Sequence, residues 1–347
     1  MCFKKSDYHF DLPDHLIAKK PAEPRDSSLL LVVNRQDNSI EPKGFTDLLE
    51  NLEEDSLLVI NNTKVIPARL PGRRTTGGQV EALLIRELQL GKWSCLLKNS
   101  AKVKLGERLI FCEGQIKAIL VGKTPQGECL LEFEGKNKLL KQLEEHAYAP
   151  LPPYILKSRN DQEKRSSDVQ SYQTIFARES GAIAAPTAGL HLTESLLERL
   201  KNKLRLIEIT LHVGIGTFEP IRETDIRRHQ MHREHYFISE GAKIEVEEAM
   251  KENRKIIALG TTTARALESS FDGGSIRSGP SSTDIFIYPP YRFQVVDQLI
   301  TNFHLPESSL LMLVSAFAGR ELILKAYEKA VRLGFRFYSY GDAMLIL

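Results

Sequence analysis

Histidines are concentrated in the second half of the sequence, in loops whose composition favours a ligand. Six of the nine histidines lie between His191 and His304. Their neighbours are small, polar or turn-forming, as in Pro186-Thr187-Ala188-Gly189-Leu190-His191 and Thr301-Asn302-Phe303-His304-Leu305-Pro306. Imidazole titrates near neutral pH and suits general acid–base chemistry. A single histidine of this kind is more often structural, but several in such loops indicate a site for proton transfer.

A second pattern indicates an anion site. Gly260-Thr261-Thr262-Thr263 joins a predicted strand, Lys255–Leu259, to a predicted helix, Thr261–Ser270. Unpaired N–H groups at a helix N-terminus, together with hydroxyls, favour a carboxylate or a phosphate. Plain capping of the helix is the alternative. The segment is not a P-loop, because no Gly-Lys-Ser/Thr follows it.

Two further patterns are weak. His229, His232 and His235 have a spacing that would suit a metal on a helix, but no carboxylate–histidine pattern of a known metal motif accompanies them. We therefore predict no metal site. Gly214-Ile215-Gly216 follows a predicted strand, Arg205–Val213, but lacks the third glycine and the helix of a dinucleotide-binding turn.

The elements that must position these residues fall into three regions. Residues 63–153 contain short β-like runs separated by glycines and turn residues, which predicts a small barrel or sandwich. Residues from about 172 to 347 alternate strands and helices, with strands predicted at Ile285–Tyr288 and Phe335–Tyr340. Residues 1–62 also mix helix and strand, and alone they would form a poor core.

The predicted fold class is therefore α/β: a layered α/β domain with an inserted small all-β barrel domain. The α/β domain would be discontinuous, formed by residues 1–62 plus 154–347, and the barrel would span residues 63–153. Three independent units are the alternative. Asn61-Asn62-Thr63 through Arg69 lies at the first boundary, where polar groups either line a cleft or serve as a hinge.

Composition and charge narrow the classes of protein. The chain has 347 residues, of which 42% are hydrophobic, and its most apolar segment, Ser308–Gly319, is too short to cross a membrane. The four cysteines form no CxxC pair, so a cytoplasmic protein without disulfides is expected. Between Asn62 and Lys123 there are 12 lysines or arginines and 4 glutamates. This excess indicates a surface for a polyanion, with a merely solvated face as the alternative.

At these same positions the sequence strongly resembles the S-adenosylmethionine:tRNA ribosyltransferase-isomerase family of queuosine biosynthesis, over nearly its whole length. The motifs that carry the resemblance are Asn62-Thr63 with Val65-Ile66-Pro67-Ala68-Arg69-Leu70, Gly77-Gly78 with Glu81, Ala184–His191, Leu211-His212-Val213-Gly214 with Gly216-Thr217-Phe218, Met231-His232 with Glu234, Gly260-Thr261-Thr262 with Arg265 and Glu268, Thr301–Pro306, and Ser339-Tyr340-Gly341-Asp342-Ala343-Met344. The sequence departs from the family pattern at Leu29, Leu192, Arg233 and Pro290.

The resemblance implies an α/β domain with an inserted β-barrel, which agrees with the organisation above. It implies two substrates, S-adenosylmethionine and a transfer RNA with an aminomethyl-deazaguanine at the wobble position. The ribosyl part of S-adenosylmethionine would be transferred and isomerised, giving epoxyqueuosine and releasing adenine and methionine. S-adenosylmethionine would be a co-substrate, with no tightly bound cofactor, and the enzyme would be a monomer.

On this basis we assign expected roles. The acid–base candidates are His191, His212 and His304, oriented by Asp342 or Glu234, while Thr261, Thr262 and Arg265 would hold the methionine carboxylate and Asn302 would contact adenine or ribose. The other expected substrate-binding residues are Thr187, Asn62 and Arg69, and the expected tRNA-binding residues are Arg73, Arg74, Lys102 and Lys104.

Two other functions fit some of these features: an S-adenosylmethionine-dependent RNA methyltransferase and an RNA-binding module without catalysis. The sequence lacks the glycine-rich strand-to-helix turn of a typical nucleotide-binding methyltransferase. The reaction products separate the three possibilities. Adenine and methionine indicate ribosyl transfer, S-adenosylhomocysteine indicates methylation, and no turnover indicates a binding module.

Overall fold

The chain folds into two compact units. The structure, a computed structural model, describes residues 3–125, 127–157, 165–214, 216 and 220–347. The first unit comprises Met1–Thr63, Thr174–Glu179 and Pro186–Leu347, and the second comprises Lys64–Gln173 and Ser180–Ala185.

A nine-stranded mixed sheet forms the centre of the first unit. In spatial order its strands are β15 (Gly279–Thr283), β13 (Glu234–Ile238), β12 (Arg205–Leu211), β3 (Leu57–Asn61), β14 (Ile256–Leu259), β16 (Gln298–Asn302), β17 (Ala343–Ile346), β1 (Leu29–Val33) and β2 (Ile40–Gly44). All five residues of β3 are buried, because the strand has neighbours on both sides and is covered on both faces.

Five α-helices of the described part of the first unit accompany this sheet, which makes the unit a layered α/β structure. They are α4 (Glu194–Lys203), α5 (Glu240–Lys251), α6 (Thr261–Ser270), α7 (Ser309–Ala318) and α8 (Arg320–Arg332). In α4 the apolar side chains Leu196, Leu197 and Leu200 recur with helical spacing and are buried in the core against Leu58 and Ile60 of β3. The predicted α/β fold class is confirmed.

Several strand ends meet at one edge of the sheet. β12, β3, β14 and β16 are parallel neighbours, so their carboxyl ends lie together. β13 and β17 run antiparallel to β12 and β16, so their amino ends reach the same edge. β1 is parallel to β17 and begins there too. We call this the carboxyl edge, and open α/β sheets usually bind their ligands at such an edge.

The second unit is built on a closed six-stranded barrel. Its strands, in order around the barrel, are β10 (Cys129–Phe133), β7 (Lys92–Lys98), β6 (Gln79–Gln89), β5 (Arg69–Arg74), β8 (Arg108–Phe111) and β9 (Ile116–Lys123). Alternate residues of β9 are buried, as the pleat of a barrel strand requires. Gly72 lets β5 approach β8, because a Cβ there would lie 2.5 Å from the carbonyl oxygen of Ile110.

The remaining elements are short. The second unit also contains α1 (Leu139–His146), α2 (Pro153–Lys157) and α3 (Arg165–Ser171), and a separate two-stranded sheet pairs β4 (Thr63–Val65) with β11 (Glu179–Ala182). The second unit therefore extends beyond the residue 153 that the sequence predicted. The carboxamide of Gln173 explains this, because it accepts a hydrogen bond from the N–H of Val65 at 2.9 Å and donates one to its carbonyl at 3.1 Å.

Two predicted strands are wrong. Residues 285–288 form no strand, and the strand before them is β15, whose sequence Gly-Pro-Ser-Ser-Thr carries no apolar alternation. Residues 335–340 turn instead of extending: Tyr338 has a φ of 75°. The apolar positions Phe335 and Phe337 are two residues apart because both rings pack on Phe303, with centroids at 5.6 and 5.0 Å. The last strand of the chain's described part is β17.

The barrel core offers a direct test of this packing. Leu120 is fully buried in β9 and Leu105 is 67% exposed in the same unit. Leu120→Ala should destabilise the barrel by about 2–5 kcal/mol, whereas Leu105→Ala should change its stability by less than about 0.5 kcal/mol. Trp93, the one tryptophan of the sequence, is buried in β7 and reports barrel unfolding through its fluorescence in urea. Equal urea midpoints for the two variants would contradict the packing of Leu120 in the barrel core.

Candidate active site

His191 is a buried histidine with both ring nitrogens engaged. It ends a 3-10 helix, Thr187–His191, and its Nδ1 lies 2.8 Å from Ser28 Oγ. The Thr187 hydroxyl donates to Asn302 Oδ1 at 2.9 Å, which directs the Asn302 Nδ2 amide to donate to His191 Nε2 at 3.1 Å. His191 Nδ1–H therefore donates to Ser28. The ring also packs on Phe45, with centroids 4.9 Å apart.

This environment keeps His191 uncharged. Burial lowers its pKa to about 4, although the nearby carboxylate of Asp342 acts in the opposite direction. The structure thus brings together three residues that the sequence predicted, His191, Thr187 and Asn302, and adds Ser28. Because protein groups occupy both ring nitrogens, His191 can transfer a proton only after one of these hydrogen bonds breaks.

His212 has a different arrangement, with one nitrogen anchored and the other open. It follows β12, and its Nδ1 lies 2.8 Å from Thr63 Oγ1. The Thr63 hydroxyl donates to the carbonyl of Glu179 at 3.4 Å, so it accepts from His212 Nδ1–H. Among the residues that the structure describes, none forms a hydrogen bond to His212 Nε2. That lone pair is available to act as a base.

His212 also lines a cavity of about 770 Å³, together with Glu179, Glu208 and Phe237. Its pKa is lowered, chiefly by burial and then by the neighbouring His235, while Glu179 acts to raise it. A neutral imidazole at the wall of a cavity large enough for a small molecule is the arrangement that a general base needs.

Two asparagines hold the segment that leads to Thr63. Asn61 Oδ1 accepts from the N–H of Leu211 at 2.9 Å and from the N–H of Thr63 at 3.2 Å, and its Nδ2 donates to the carbonyl of Leu211 at 3.0 Å. The Asn62 carboxamide accepts from Thr210 Oγ1 at 2.7 Å and donates to Glu208 Oε2 at 3.0 Å. The side chain of Asn62, predicted to bind substrate, is therefore held by Thr210 and Glu208, much as that of Asn302 is held by Thr187 and His191.

Glu234 and Arg265 form a buried ion pair. Arg265 Nη1 lies 2.5 Å from Glu234 Oε2, and Glu234 Oε1 accepts from the N–H of Gly214 at 3.0 Å. Both side chains are only 4% exposed. The prediction that Glu234 orients a histidine finds no such contact among the described residues, because its carboxylate is taken by Arg265 and Gly214.

Arg265 retains unused donors in this buried position. Its Nε and Nη2 are buried and have no hydrogen-bond partner in the part of the chain that the structure describes. Unpaired buried N–H groups of a guanidinium are costly and indicate a missing anionic partner. Thr261 lies four residues earlier on the same face of α6, and side chains on a helix lean toward its N-terminus. The Arg265 side chain therefore leans toward the N-terminal end of α6.

The N-terminus of α6 supports the same conclusion. Its cap is Gly260, with a φ of 93° and no side chain to cap the first amides. The threonine hydroxyls do not replace a cap: Thr263 Oγ1 donates to the carbonyl of Leu259 at 2.7 Å, and Thr262 Oγ1 accepts from Asn61 Nδ2 at 3.3 Å. A guanidinium with unused donors and a helix N-terminus without a side-chain cap are each suited to an anion such as a carboxylate.

His304 and Asp342 are buried with protein partners of their own. His304 Nε2 lies 3.0 Å from Thr301 Oγ1, and burial lowers the pKa of His304 to about 3. Asp342 accepts three hydrogen bonds, one from the N–H of Leu29 and two from Arg336, at 3.1, 2.7 and 3.0 Å. Asp342 precedes β17 rather than ending a strand, and it influences His191 through its charge rather than through a hydrogen bond.

The candidate RNA-binding residues of the barrel unit divide into two kinds. Arg73, Lys102 and Lys104 are exposed. Arg74 instead forms a two-pronged pair with Glu107, through Nε at 2.7 Å and Nη2 at 3.0 Å. Arg69 lies 3.3 Å from Glu81 and over the ring of Tyr148 at 5.4 Å.

The described residues were compared with the requirements of a metal site and of a membrane-spanning helix. Across residues 3–125, 127–157, 165–214, 216 and 220–347, no group of three or more histidine, cysteine, aspartate or glutamate side chains could hold a metal. In the same ranges no helix is both long and apolar enough to cross a membrane. Ile215, Thr217 and Phe218 of the glycine-containing motif lie outside the described residues.

The lowered pKa values predict that acid destabilises the first unit. Between pH 6.5 and about 4 the unfolded state binds a proton at His191 that the folded state excludes, so stability falls as the pH falls through this window. By pH 4.5 this one histidine should cost about 2 kcal/mol. Between pH 7 and pH 4.5 the free energy of unfolding should fall less for His191→Gln than for the wild type, as measured by denaturation followed by circular dichroism. His15→Gln, at an exposed position, serves as the control, and equal losses in all three proteins would count against the assignment.

Relatives match the chain from end to end. The family model described as "Queuosine biosynthesis protein" matches residues 5–346. An S-adenosylmethionine:tRNA ribosyltransferase-isomerase from Desulforamulus reducens is 46% identical over 345 residues, 99% of each chain. One of the same name from Thermosipho africanus is 47% identical over 344 residues, again 99% of each chain.

A solved structure supports the same grouping. The crystal structure of an S-adenosylmethionine tRNA ribosyltransferase from Thermotoga maritima is 36% identical, with a TM-score of 0.57, and the similarity covers 99% of this chain and 100% of that one. The fold, the full-length matches and the family motifs in the loops at the carboxyl edge lead to one conclusion: the chain belongs to the S-adenosylmethionine:tRNA ribosyltransferase-isomerase family of queuosine biosynthesis, whose members are transferases and isomerases.

Proposed function

We propose that this enzyme transfers and isomerises the ribosyl moiety of S-adenosylmethionine onto an aminomethyl-deazaguanine at the wobble position of tRNA. The products are epoxyqueuosine in the RNA, adenine and methionine. The observation that carries the proposal is His212, whose Nδ1 is anchored by Thr63 while Nε2 has no hydrogen-bond partner among the described residues. The relatives whose names state this activity supply the substrate class.

The reaction begins with the removal of a proton from the donor. The positive sulfonium of S-adenosylmethionine withdraws electrons and acidifies the adjacent 5′ carbon of the ribose. His212 Nε2 takes that proton, and its other nitrogen keeps the imidazole oriented by donating to Thr63. The electron pair left on carbon starts the rearrangement that breaks the bond to adenine, and an acid protonates adenine as it leaves. The amine of the modified base then forms a C–N bond with one carbon of the rearranged sugar and loses a proton. The C–S bond to methionine breaks as the C–O bond of the epoxide forms.

The methionine end of the donor has a matching site. Arg265 Nε and Nη2, together with the free amides at the start of α6, would bind the carboxylate. Glu234 neutralises the guanidinium on its other side and keeps it fixed. Because the site is formed before the donor arrives, the donor does not have to order it, and the binding energy can be used to position the 5′ carbon.

The adenosine end fits the group around Asn302. Asn302 is the last residue of β16, three strands from β12, which corresponds to about 14 Å between His212 and Asn302 at ordinary strand spacing. An extended S-adenosylmethionine can span the edge between them. We assign Asn302 to adenine or ribose, and His191 and Thr187 to holding Asn302. His212 is thus the preferred base, ahead of His191 and His304.

The RNA would contact the barrel unit through exposed cations. Arg73, Lys102 and Lys104 can reach phosphates, whereas Arg74 is held by Glu107 and is less suited to this role. Phosphate contacts make affinity fall with salt, and the wobble base lies in a single-stranded loop that can be splayed into a pocket. We further propose that the enzyme acts in the cytoplasm as a monomer, with S-adenosylmethionine as its co-substrate.

The test is chromatography of small products after incubation with S-adenosylmethionine and precursor-bearing tRNA. Adenine and methionine in equal amounts support the proposal. S-adenosylhomocysteine would establish a methyltransferase instead. Binding of the RNA without any turnover of the donor would establish a non-catalytic module.

His212 and its anchor give a second prediction. His212→Ala should lower kcat by about 10² to 10⁴, the usual contribution of a general base. Thr63→Val should also lower kcat and change its pH dependence, because the imidazole loses the acceptor for Nδ1–H, while Thr63→Ser should restore both. Steady-state rates across pH 5–9 check this. A Thr63→Val enzyme with the wild-type pH profile would remove Thr63 from the mechanism.

A further inference from the structure

Two loops of the first unit leave the sheet at the same edge as His212. β13 begins at this edge, so residues 220–233, which precede it, lie there. β15 runs antiparallel to β13 with Thr283 opposite Glu234, so residues 284–297, which follow it, start there as well. The N–H of His212 donates to the carbonyl of His235 at 2.9 Å, which joins the candidate base directly to the strand that the first loop enters.

Aromatic rings connect these loops to the N-terminal segment. The Phe3 ring meets Tyr288 edge-on at 6.4 Å, Tyr288 packs on Phe286 at 4.9 Å, and Phe286 meets His229 at 5.2 Å. All four side chains are partly exposed. The guanidinium of Arg227 lies 4.6 Å from the Phe3 ring centroid. We call Phe3, Phe286 and Tyr288 the aromatic platform.

The loops that carry the platform also carry exposed arginines without an ion-pair partner in the described chain. Arg222, Arg228 and Arg292 are exposed, and none of them has an ion-pair partner among the described residues. Arg227 and Arg233, in contrast, are paired with Asp225 and Asp284. A cavity of about 740 Å³ runs beside the platform, and its lining includes both signs of charge: Lys4, Arg227 and Arg228 on one hand, Asp7, Glu223 and Asp225 on the other. Residues 220–233 contain four arginines against Glu223 and Asp225, so the net charge of this loop is positive.

A buried carboxylate holds the second loop in place. Glu268, 5% exposed in α6, accepts hydrogen bonds from the Tyr291 hydroxyl at 2.9 Å and from the N–H groups of Gln294, Val295 and Val296 at 2.9, 3.0 and 3.0 Å. Four donors on one carboxylate fix the loop before any partner binds. The helix that carries Glu268 also carries Arg265, so the loop is tied to the candidate carboxylate site.

These features match one kind of partner. Bases of a single-stranded nucleic acid stack on exposed rings, and neighbouring arginines contact the phosphates. Positive charge is complementary to an RNA backbone and not to a neutral or basic protein surface. Because a preformed surface loses little entropy on binding, a held loop suits the capture of flexible nucleotides.

We propose that the aromatic platform and the arginines around it bind unpaired nucleotides of the tRNA anticodon loop, beside the candidate active site. This inference rests on the proposed function for the identity of the RNA. It gives the first unit its own RNA-binding surface, in addition to the exposed cations of the barrel unit. Tyr288 supplies a stacking face and Arg228 a phosphate contact.

The experiment measures binding of an anticodon stem–loop RNA to the full-length enzyme without S-adenosylmethionine, over a series of salt concentrations. Tyr288→Ala should weaken binding roughly 5- to 150-fold, the loss of one base stack, and Tyr288→Phe should bind like the wild type. Arg228→Glu should weaken binding at low salt and reduce the slope of log K against log salt by about 1. Arg199→Glu makes the same charge change at an exposed position of α4 and should leave affinity unchanged.

The outcomes separate this inference from the proposed function, because the assay requires no turnover. If Tyr288→Ala and Arg228→Glu fold as the wild type does and bind the stem–loop equally well, the platform is not an RNA surface, whatever the reaction products are. If they weaken binding of a fully paired RNA duplex as much as that of the stem–loop, the single-strand assignment is wrong. Loss of binding in these variants supports the platform even if the product analysis shows no ribosyl transfer.

Discussion

The carboxamide of Asn61 is the contact on which the geometry of the site depends. Ladder pairing between β3 and β12 ends where Asn61 faces Ile209. Beyond that point the Asn61 side chain replaces the backbone pairing: it accepts a hydrogen bond from the N–H of Leu211 and donates one to the carbonyl of Leu211. It also accepts from the N–H of Thr63 and donates to Thr262. One side chain therefore fixes the approach to His212, the position of its anchor and the start of α6.

The site contains polar groups whose hydrogen bonds are made by the protein, and others that lack a hydrogen-bond partner among the described residues. Asn62, Asp342 and His191 have their polar atoms engaged by protein, and burial keeps the histidine neutral. Arg265 keeps two buried nitrogens, Nε and Nη2, without partners in the described chain, and the half-buried His212 keeps Nε2 without one. Polar groups left without partners in a folded protein reduce its stability, so they are expected where a substrate completes them. This contrast separates groups that build the site from groups that meet the substrate.

Much of the fold could be predicted from the sequence, because its signals are local. Glycine-punctuated strands predict a barrel, and helical spacing predicts α4 and α8. The strand predicted at residues 335–340 failed because Phe335 and Phe337 alternate for tertiary packing on Phe303 rather than for a sheet.

The site itself was predictable in part only. The loops that carry His191, His212 and Asn302 stand out by composition, whereas Ser28 and Thr63 do not. Ser28 lies 163 positions from His191 in the sequence, and Thr63 lies 149 positions from His212, so no local pattern connects either pair. Their roles depend on which strands become neighbours, and sequence spacing does not contain that information. The same holds for Glu234, whose partner Arg265 is on a helix beyond the next strand.

The carbonyl of Asn62 has a consequence for how such a protein can change over evolutionary time. It accepts hydrogen bonds from the N–H groups of both Arg178 and Glu179, at 2.8 and 3.2 Å, so the polypeptide departs and returns at a single peptide group. Most of the second unit, Lys64–Gln173, therefore lies between two points of the chain that meet at this peptide group. Lengthening, shortening or exchanging such a stretch changes the closure entropy only slowly, and it leaves the sheet register intact. The sequence of this stretch can therefore diversify while the carboxyl edge of the sheet stays unchanged.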